Sequence, residues 1–202
     1  MNMTPSLTVA QIATDFLIEE EAVALNVYPD PTSSLGKELT KRFGAKGIMR
    51  IANGGVIPPE LAHLKGSPWT IGVGATGPDI VQGLKWTILE VKERLRRDLN
   101  KYFDMACRAW PGVDCLHPLA QVAMLSLAYN RGTSLRKDAT DPDDRRLEMR
   151  ELVSAVAQKD YLQMAALFKS MCRLWENKDL GGLISRRKRE AQLCMDSFQT
   201  TR

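Results

Sequence analysis

Apolar residues recur at helical spacing along most of this chain. Val9, Ile12, Ala13, Phe16 and Leu17 mark a first helix of about four turns that runs into Glu19, Glu20 and Glu21. Thr8 and Gln11 read as its capping box, the hydroxyl serving the free amides and the glutamine reaching back. A second capping box, Thr87 with Glu90, opens a long amphipathic helix carried by Ile88, Val91, Leu95, Leu99 and Tyr102 or Phe103. Residues 118–129 are strongly apolar and stop at Asn130, Arg131 and Gly132, which predicts a buried central helix with a glycine end signal. After the polar turn at 138–144, residues 147–158 form a helix. Asp160 caps the next, whose Met164, Leu167, Phe168, Met171 and Trp175 line one face as core. A last helix, from Leu183 to about Phe198, carries Arg186, Arg187, Lys188 and Arg189; by itself such a run is a solvated face or a nucleic-acid contact.

The first third reads differently. Residues 22–30 have the pattern of a strand, with Leu25 and Val27 inside and Asn26 and Tyr28 more exposed, and Asp30 is held stiff between Pro29 and Pro31. In the next stretch, KELTKRFGAKG reads as a short basic helix ending at Gly44 or Gly47. IMRIANGGVIPPELAHLKG holds a strand-like piece, an Asn53-Gly54-Gly55 turn and a helix start at Pro58-Pro59-Glu60. A segment this long carries structure of its own. Gly72, Gly74 and Gly77 meet the G-x-G-x-x-G spacing of a dinucleotide fold, but Pro78 follows where that fold needs a helix, and Glu90 to Asp98 lie inside a helical pattern.

Composition narrows the chemistry. With 202 residues, 44% hydrophobic and 26% charged, the chain has enough apolar material for one sizeable core or two lobes. A net charge of +4 favours anionic polymers without choosing among them. No apolar run approaches the roughly 18 residues that span a bilayer, and MNMTPSLTVAQIATDF lacks the basic start and apolar stretch of a signal peptide. His63 and His117 are the only histidines, which excludes a His-rich metal site, and Cys107, Cys115 and His117 lack zinc-motif spacing. Neither a Gly-x-Ser-x-Gly elbow nor a Cys-His pairing is present. Four cysteines, Cys107, Cys115, Cys172 and Cys194, allow three disulfide connectivities; free thiols are the default of a cytoplasmic chain, with Cys107–Cys115 the candidate bridge for one working outside the membrane.

What remains is the carboxylate cluster at Glu19–Glu21 and the carboxylate at Asp30. Two carboxyl groups in different environments are what cleavage of a glycosidic bond requires, one protonated to release the leaving oxygen and one ionised. Glu20 continues the stripe through Ala13 and Phe16, while Glu21 follows Leu17 by one turn, so position alone leaves both open as the acid. The order EEEAVALNVYPD (19–30), PWTIGVGATGPDI (68–80), WTILEVKERLRRDLNKY (86–102), HPLAQVAMLSLAYNRG (117–132) and GGLISRRKREAQLC (181–194) resembles the phage-type lysozymes, glycoside hydrolase family 24, across most of the chain. Glu21, Asp30 and Thr70 take the places of the family's catalytic Glu, Asp and Thr. Ala75 stands where the family usually has His, and 39 residues, Pro31 to Trp69, separate Asp30 from Thr70 where the family has a tight hairpin.

The resemblance implies an α+β, mostly α, lysozyme-like fold. A small mixed lobe (1–80, including the 31–69 insertion) and a larger helical lobe (81–202) would flank a saccharide cleft. It implies a muramidase cleaving the β-1,4 bond between N-acetylmuramic acid and N-acetylglucosamine in peptidoglycan, with inversion. Glu21 would be the general acid, its pKa raised by burial; ionised Asp30 would work with Thr70 on the water. Arg186, with Arg189 as the alternative, would position the acid, and Tyr28 and Asn130 would meet the substrate. No metal or cofactor is implied, nucleic acid is not an expected partner, and a monomer is expected. A chain made in the cytoplasm without a signal peptide would need a holin or a secretion system to reach the wall in the periplasm, as an endolysin or an injected effector, the latter with an immunity or inhibitor protein. The other readings are a lytic transglycosylase and a non-catalytic wall- or nucleic-acid-binding protein on the same fold. The insertion would extend the groove, act as a lid, bind a partner or be inert.

Overall fold

A computed structural model of the chain describes residues 3–176, 178 and 180–201. Helix α1 (Leu7–Glu20) starts one residue ahead of Thr8. Its cap is Ser6, whose Oγ accepts from Val9 N at 3.2 Å and whose carbonyl accepts from Ala10 N at 2.9 Å. Thr8 therefore lies inside the helix, and the Gln11 amide donates to Asp15 (2.7 Å) instead of reaching back, so the expected capping box does not form. Val9, Ala13, Phe16 and Leu17 are buried as the periodicity required, with α1 packed on α5 (Pro118–Arg131).

Strands β1 (Ala24–Pro29) and β2 (Trp69–Gly72) pair antiparallel, with Tyr28 opposite Thr70 and Pro29 opposite Trp69. The register shifts between Ala24 and Tyr28. There β1 turns to a different neighbour: Val27 N donates to Leu84 O (3.0 Å) and Leu25 O accepts from Trp86 N (2.9 Å). The shift breaks strict alternation. Ala24 and Val27 are buried, but Leu25, expected inside, is 41% exposed. A two-stranded antiparallel sheet, with the next helix not beginning until Ile88, removes the dinucleotide reading of the glycines.

Between the strands lie α2 (Ser34–Phe43) and α3 (Ala45–Ala52), joined at Gly44 in a positive-φ conformation (62°), and a single 3-10 turn at Pro59–Leu61. The basic helix ends at Gly44, and the piece read as strand-like is α3. Ile48, Ile51 and Ala52 recur at i, i+3 and i+4, a spacing that a short apolar run does not separate from a strand. Leu35, Leu39, Ile48, Ile51 and Leu61 form a core of their own. Both ends of the insertion close on each other. Asp30 N donates to Pro68 O and Leu35 N to Lys65 O, each at 3.0 Å.

Helix α4 (Ile88–Ala109) opens with the expected box, in which Thr87 N donates to Glu90 Oε2 (2.7 Å) and Glu90 N to Thr87 Oγ1 (3.3 Å). Val91, Leu95, Leu99 and Phe103 are buried, while Ile88 at the tip is exposed. In α5 every residue from Ala120 to Ala128 is buried, and Gly132 (φ 68°) ends it. Then follow α6 (Leu147–Ala157), α7 (Tyr161–Ser170), capped by Asp160 Oδ1 on Gln163 N (2.9 Å), and α8 (Gly181–Thr200), which packs on α5 and α7. All four cysteines are free thiols, so the candidate Cys107–Cys115 bridge does not form. Burial pushes the Cys107 thiol up to about 11. By internal contacts the chain forms two compact units, one of residues 1–20 with 96–202 and one of 21–95. The division expected at residue 80 thus falls elsewhere, with α1 counted among the later helices and the start of α4 with the hairpin. The architecture is α+β, mostly α.

Candidate active site

In the unit of residues 21–95, Asp30 is fixed from three sides. Its amide is tied to Pro68, and its carbonyl accepts from Ser33 N (3.0 Å) and Ser33 Oγ (2.7 Å). Its Oδ1 accepts from Thr32 N at 2.7 Å and Thr32 Oγ1 at 2.5 Å. Oδ2 carries no hydrogen bond among the described residues, which leaves one oxygen for a ligand. Ser33 is at the same time the cap of α2, accepting from Gly36 N at 3.0 Å. The first turn of α2 sits so close that a Cβ on Gly36 would overlap the Asp30 carbonyl oxygen. Gly36→Ala is therefore expected to force this corner open and to lower stability by about 1–3 kcal/mol. A thermal melt reads this directly, and a variant within about 0.5 kcal/mol of the parent would show that the approach is not needed.

Across the ladder from Tyr28 lies Thr70, and directly opposed residues of an antiparallel pair present their side chains on one face. Asp30 follows directly on the end of β1. The Tyr28 hydroxyl is pushed up from its ordinary range by burial first, then by the negative charges of Asp30 and of Glu21. One side chain thus feels both carboxylates. Thr70 is 6% exposed and its Oγ1 is buried with no protein partner, a costly state for a hydroxyl unless something else satisfies it. Glu21, the first residue after α1, is half-buried rather than enclosed. Ala75 takes part in a narrow turn, exchanging both backbone hydrogen bonds with Ile71 (3.0 and 2.9 Å) around Gly72 and Gly74, whose φ angles of 66° and 81° suit glycine.

In the other unit the basic run of α8 splits by face. Arg189 reaches Glu19 (Nη2–Oε2, 2.5 Å) and Glu20 (Nε–Oε1, 2.9 Å) at the end of α1. Arg186 and Arg187 are buried, together with Glu190 one turn on. Arg187 Nη2 lies 2.7 Å and Arg186 Nε 3.6 Å from Glu190 Oε1, to which Ser126 Oγ donates at 2.5 Å. Arg186 Nε also donates to Ser126 Oγ (3.1 Å), and Arg187 Nη2 to Asn130 Oδ1 (3.4 Å). Burial pushes the Glu190 carboxyl up against the pull of both guanidiniums, and lowers Arg187. The solvated basic face expected of this helix is thus half a buried charge network. Arg189, the alternative to Arg186, is the one that holds glutamates of the first helix.

Three groups escaped the sequence reading. Gly36 and Ser33 act on Asp30 from the start of α2, and only a Ser-x-x-Gly at a helix start hints at it. Glu190 had a signal, since an acid three and four residues after two arginines on an apolar helix face is an ion-pair spacing.

The model of the phage lysozyme family matches residues 57–190, more than half of the chain. Thr70, Asn130 and Arg186 lie inside that span; Glu21, Tyr28 and Asp30 precede it. No curated protein matches. Among solved structures, the crystal structure of the active form of the P1 phage endolysin Lyz superposes with a TM-score of 0.53 at 18% identity. That match covers 98% of this chain and 88% of the other, a likeness of fold. On the family match over residues 57–190, the chain belongs to the phage lysozyme family.

Proposed function

We propose that this chain is a peptidoglycan hydrolase of the muramidase type, cleaving the β-1,4 bond between N-acetylmuramic acid and N-acetylglucosamine. The observation that carries the reading is that Tyr28 feels both Glu21 and Asp30 while facing Thr70, whose buried hydroxyl has no protein partner. Family membership supports the substrate class. Glu21 gives its proton to the glycosidic oxygen as the bond to the anomeric carbon breaks. Asp30, ionised, offsets the positive charge that develops on the sugar ring, and its free oxygen and the Thr70 hydroxyl hold a water for attack on the opposite face. Attack by water rather than by a carboxylate inverts the anomeric carbon. Tyr28 lines the same face and meets the sugar. The reaction uses no metal or cofactor. An endolysin role, as for the P1 phage neighbour, or an injected antibacterial role both place the substrate in the periplasm, with delivery by a holin or secretion system and a monomer as the working form.

Digestion of purified peptidoglycan tests this. The expected products are reducing muropeptides ending in N-acetylmuramic acid, released first as the α anomer, with Asp30→Asn giving next to none. Anhydro-sugar ends that persist in Asp30→Asn would instead make the chain a lytic transglycosylase, and no products from the wild type would leave a binding protein.

A further inference from the structure

Beyond the carboxylate site, the helical unit holds a cavity of about 640 Å³ between the end of α5 and the turn that leads into α6. We propose that this cavity binds a phosphoryl group of two or more negative charges through Arg131, Arg136, Lys137, Arg145 and Arg146.

Five cations and two carboxylates, Asp138 and Asp141, line the cavity. The carboxylates are spent on their own turn. Asp138 Oδ1 accepts from Thr140 N (2.9 Å) and Thr140 Oγ1 (2.7 Å), and Asp141 Oδ2 accepts from Arg145 N (2.9 Å) and Arg145 Nε (3.0 Å). Arg136 and Lys137 are exposed and form no hydrogen bond or ion pair among the described residues. At the back, Arg131 stacks on Trp175, 5.2 Å from the ring centroid, and its Nη2 donates to Arg145 O at 2.5 Å. Its Nη1 is buried with no partner. Arg146 Nη1 donates to the Arg131 backbone carbonyl (2.8 Å), and its charge is felt by the Arg131 guanidinium.

Like charges gathered this closely repel, and a buried guanidinium donor without an acceptor is costly. The strain shows at Arg131, pushed down to about 10 by burial and then by Arg146 and Arg187. An anion in the cavity relieves both at once. One carboxylate would offset a single surplus charge, whereas a phosphoryl group carries about −1.5 to −2 at neutral pH and three acceptor oxygens suited to forked arginine donors. The cavity is far larger than one phosphate, so the group would be borne on a larger molecule, an anionic wall polymer or a lipid headgroup.

The test is calorimetric titration of the full chain with pyrophosphate at low salt. Saturable binding at one per chain is expected, weakened about tenfold or more in the double variant Arg136→Glu, Lys137→Glu and on raising the salt. Both substituted residues are exposed, so loss of fold, checked by circular dichroism, is not expected to blur the result; Arg131→Met should abolish binding if it folds. Phosphatidylglycerol vesicles that displace pyrophosphate would assign the group to a lipid headgroup, and a glycerol-phosphate polymer that does so would assign it to the wall. An absence of saturable binding, binding unchanged in the double variant, or binding of duplex DNA that pyrophosphate does not displace would overturn the proposal.

Discussion

Glu21→Gln is expected to lower the rate of muropeptide release by about a thousandfold while leaving stability within about 1 kcal/mol of the wild type. Glutamine keeps the shape and loses the proton that the leaving oxygen needs. Because Glu19 and Glu20 end α1 and Glu21 follows directly, the neighbours are the decisive controls. Glu20 is half-buried like Glu21, but its carboxylate lies 2.9 Å from Arg189 Nε. Glu20→Gln should therefore keep activity within about tenfold and instead cost on the order of 1 kcal/mol of stability, through the lost ion pair. Glu19, at 2.5 Å from the same arginine and well exposed, should matter less on both counts. Initial rates on purified peptidoglycan with paired thermal melts separate the three positions. If Glu20→Gln abolished cleavage and Glu21→Gln spared it, the acid would have to be reassigned to Glu20, and Arg189 would become the group that positions it.

Glu190→Ala should cause the largest loss of stability of any single charge removal, about 3–5 kcal/mol, equivalent to about 6–20 °C in melting temperature for a chain of this size. Glu190 is fully buried and its Oε1 serves Arg186, Arg187 and Ser126 together. Removing it leaves two guanidiniums facing each other without water. The loss reflects the stranded charges more than the worth of the pair. The double variant Arg187→Met, Glu190→Leu, which replaces both charges by apolar groups, should recover a large part of it. A loss below about 1 kcal/mol for Glu190→Ala, by thermal or urea melts, would mean that water enters the network.

How far the sequence foretold this can be followed residue by residue. The helices α4, α5 and α7 were legible because each has a strong periodic core and a local stop or start: the Thr87–Glu90 box, Gly132, and Asp160. Two local readings failed for local reasons. Thr8 and Ser6 both suit a cap, and only the entry path of the chain chose Ser6. Ile48 and Ile51 fit either period over so few residues, and packing against Leu35 and Leu39 decided for a helix. The exposure of Leu25 came from a register shift, set by Leu84 and Trp86 some sixty residues away. At the candidate site, the chemical groups were visible in the chain but their supports were not. Gly36 touches Asp30 through a missing atom, which leaves no residue type to point at. From the run alone Arg186 and Arg187 read as surface cations, and only the family resemblance gave Arg186 an inward role; Glu190 is near in the chain, but Ser126 lies 60 residues from Arg186.

The hydrogen bond from Asp30 to Pro68, just outside the Pro29–Trp69 pair, makes the intervening stretch a cassette. Chain enters at one rung and leaves at the next, with Leu35, Leu39, Ile48, Ile51 and Leu61 supplying a core. The hairpin nevertheless leans on what it encloses: Tyr28 and Trp69 pack against that core, Thr32 holds Asp30 Oδ1, and Asn26 Nδ2 donates to Ala52 O at 3.2 Å. Exchange of the cassette for a short turn would therefore strip Tyr28 and Trp69 of packing and Asp30 of its Thr32 partners, even with the rungs kept. The added loop length costs little, because closure entropy grows only with the logarithm of the number of residues enclosed.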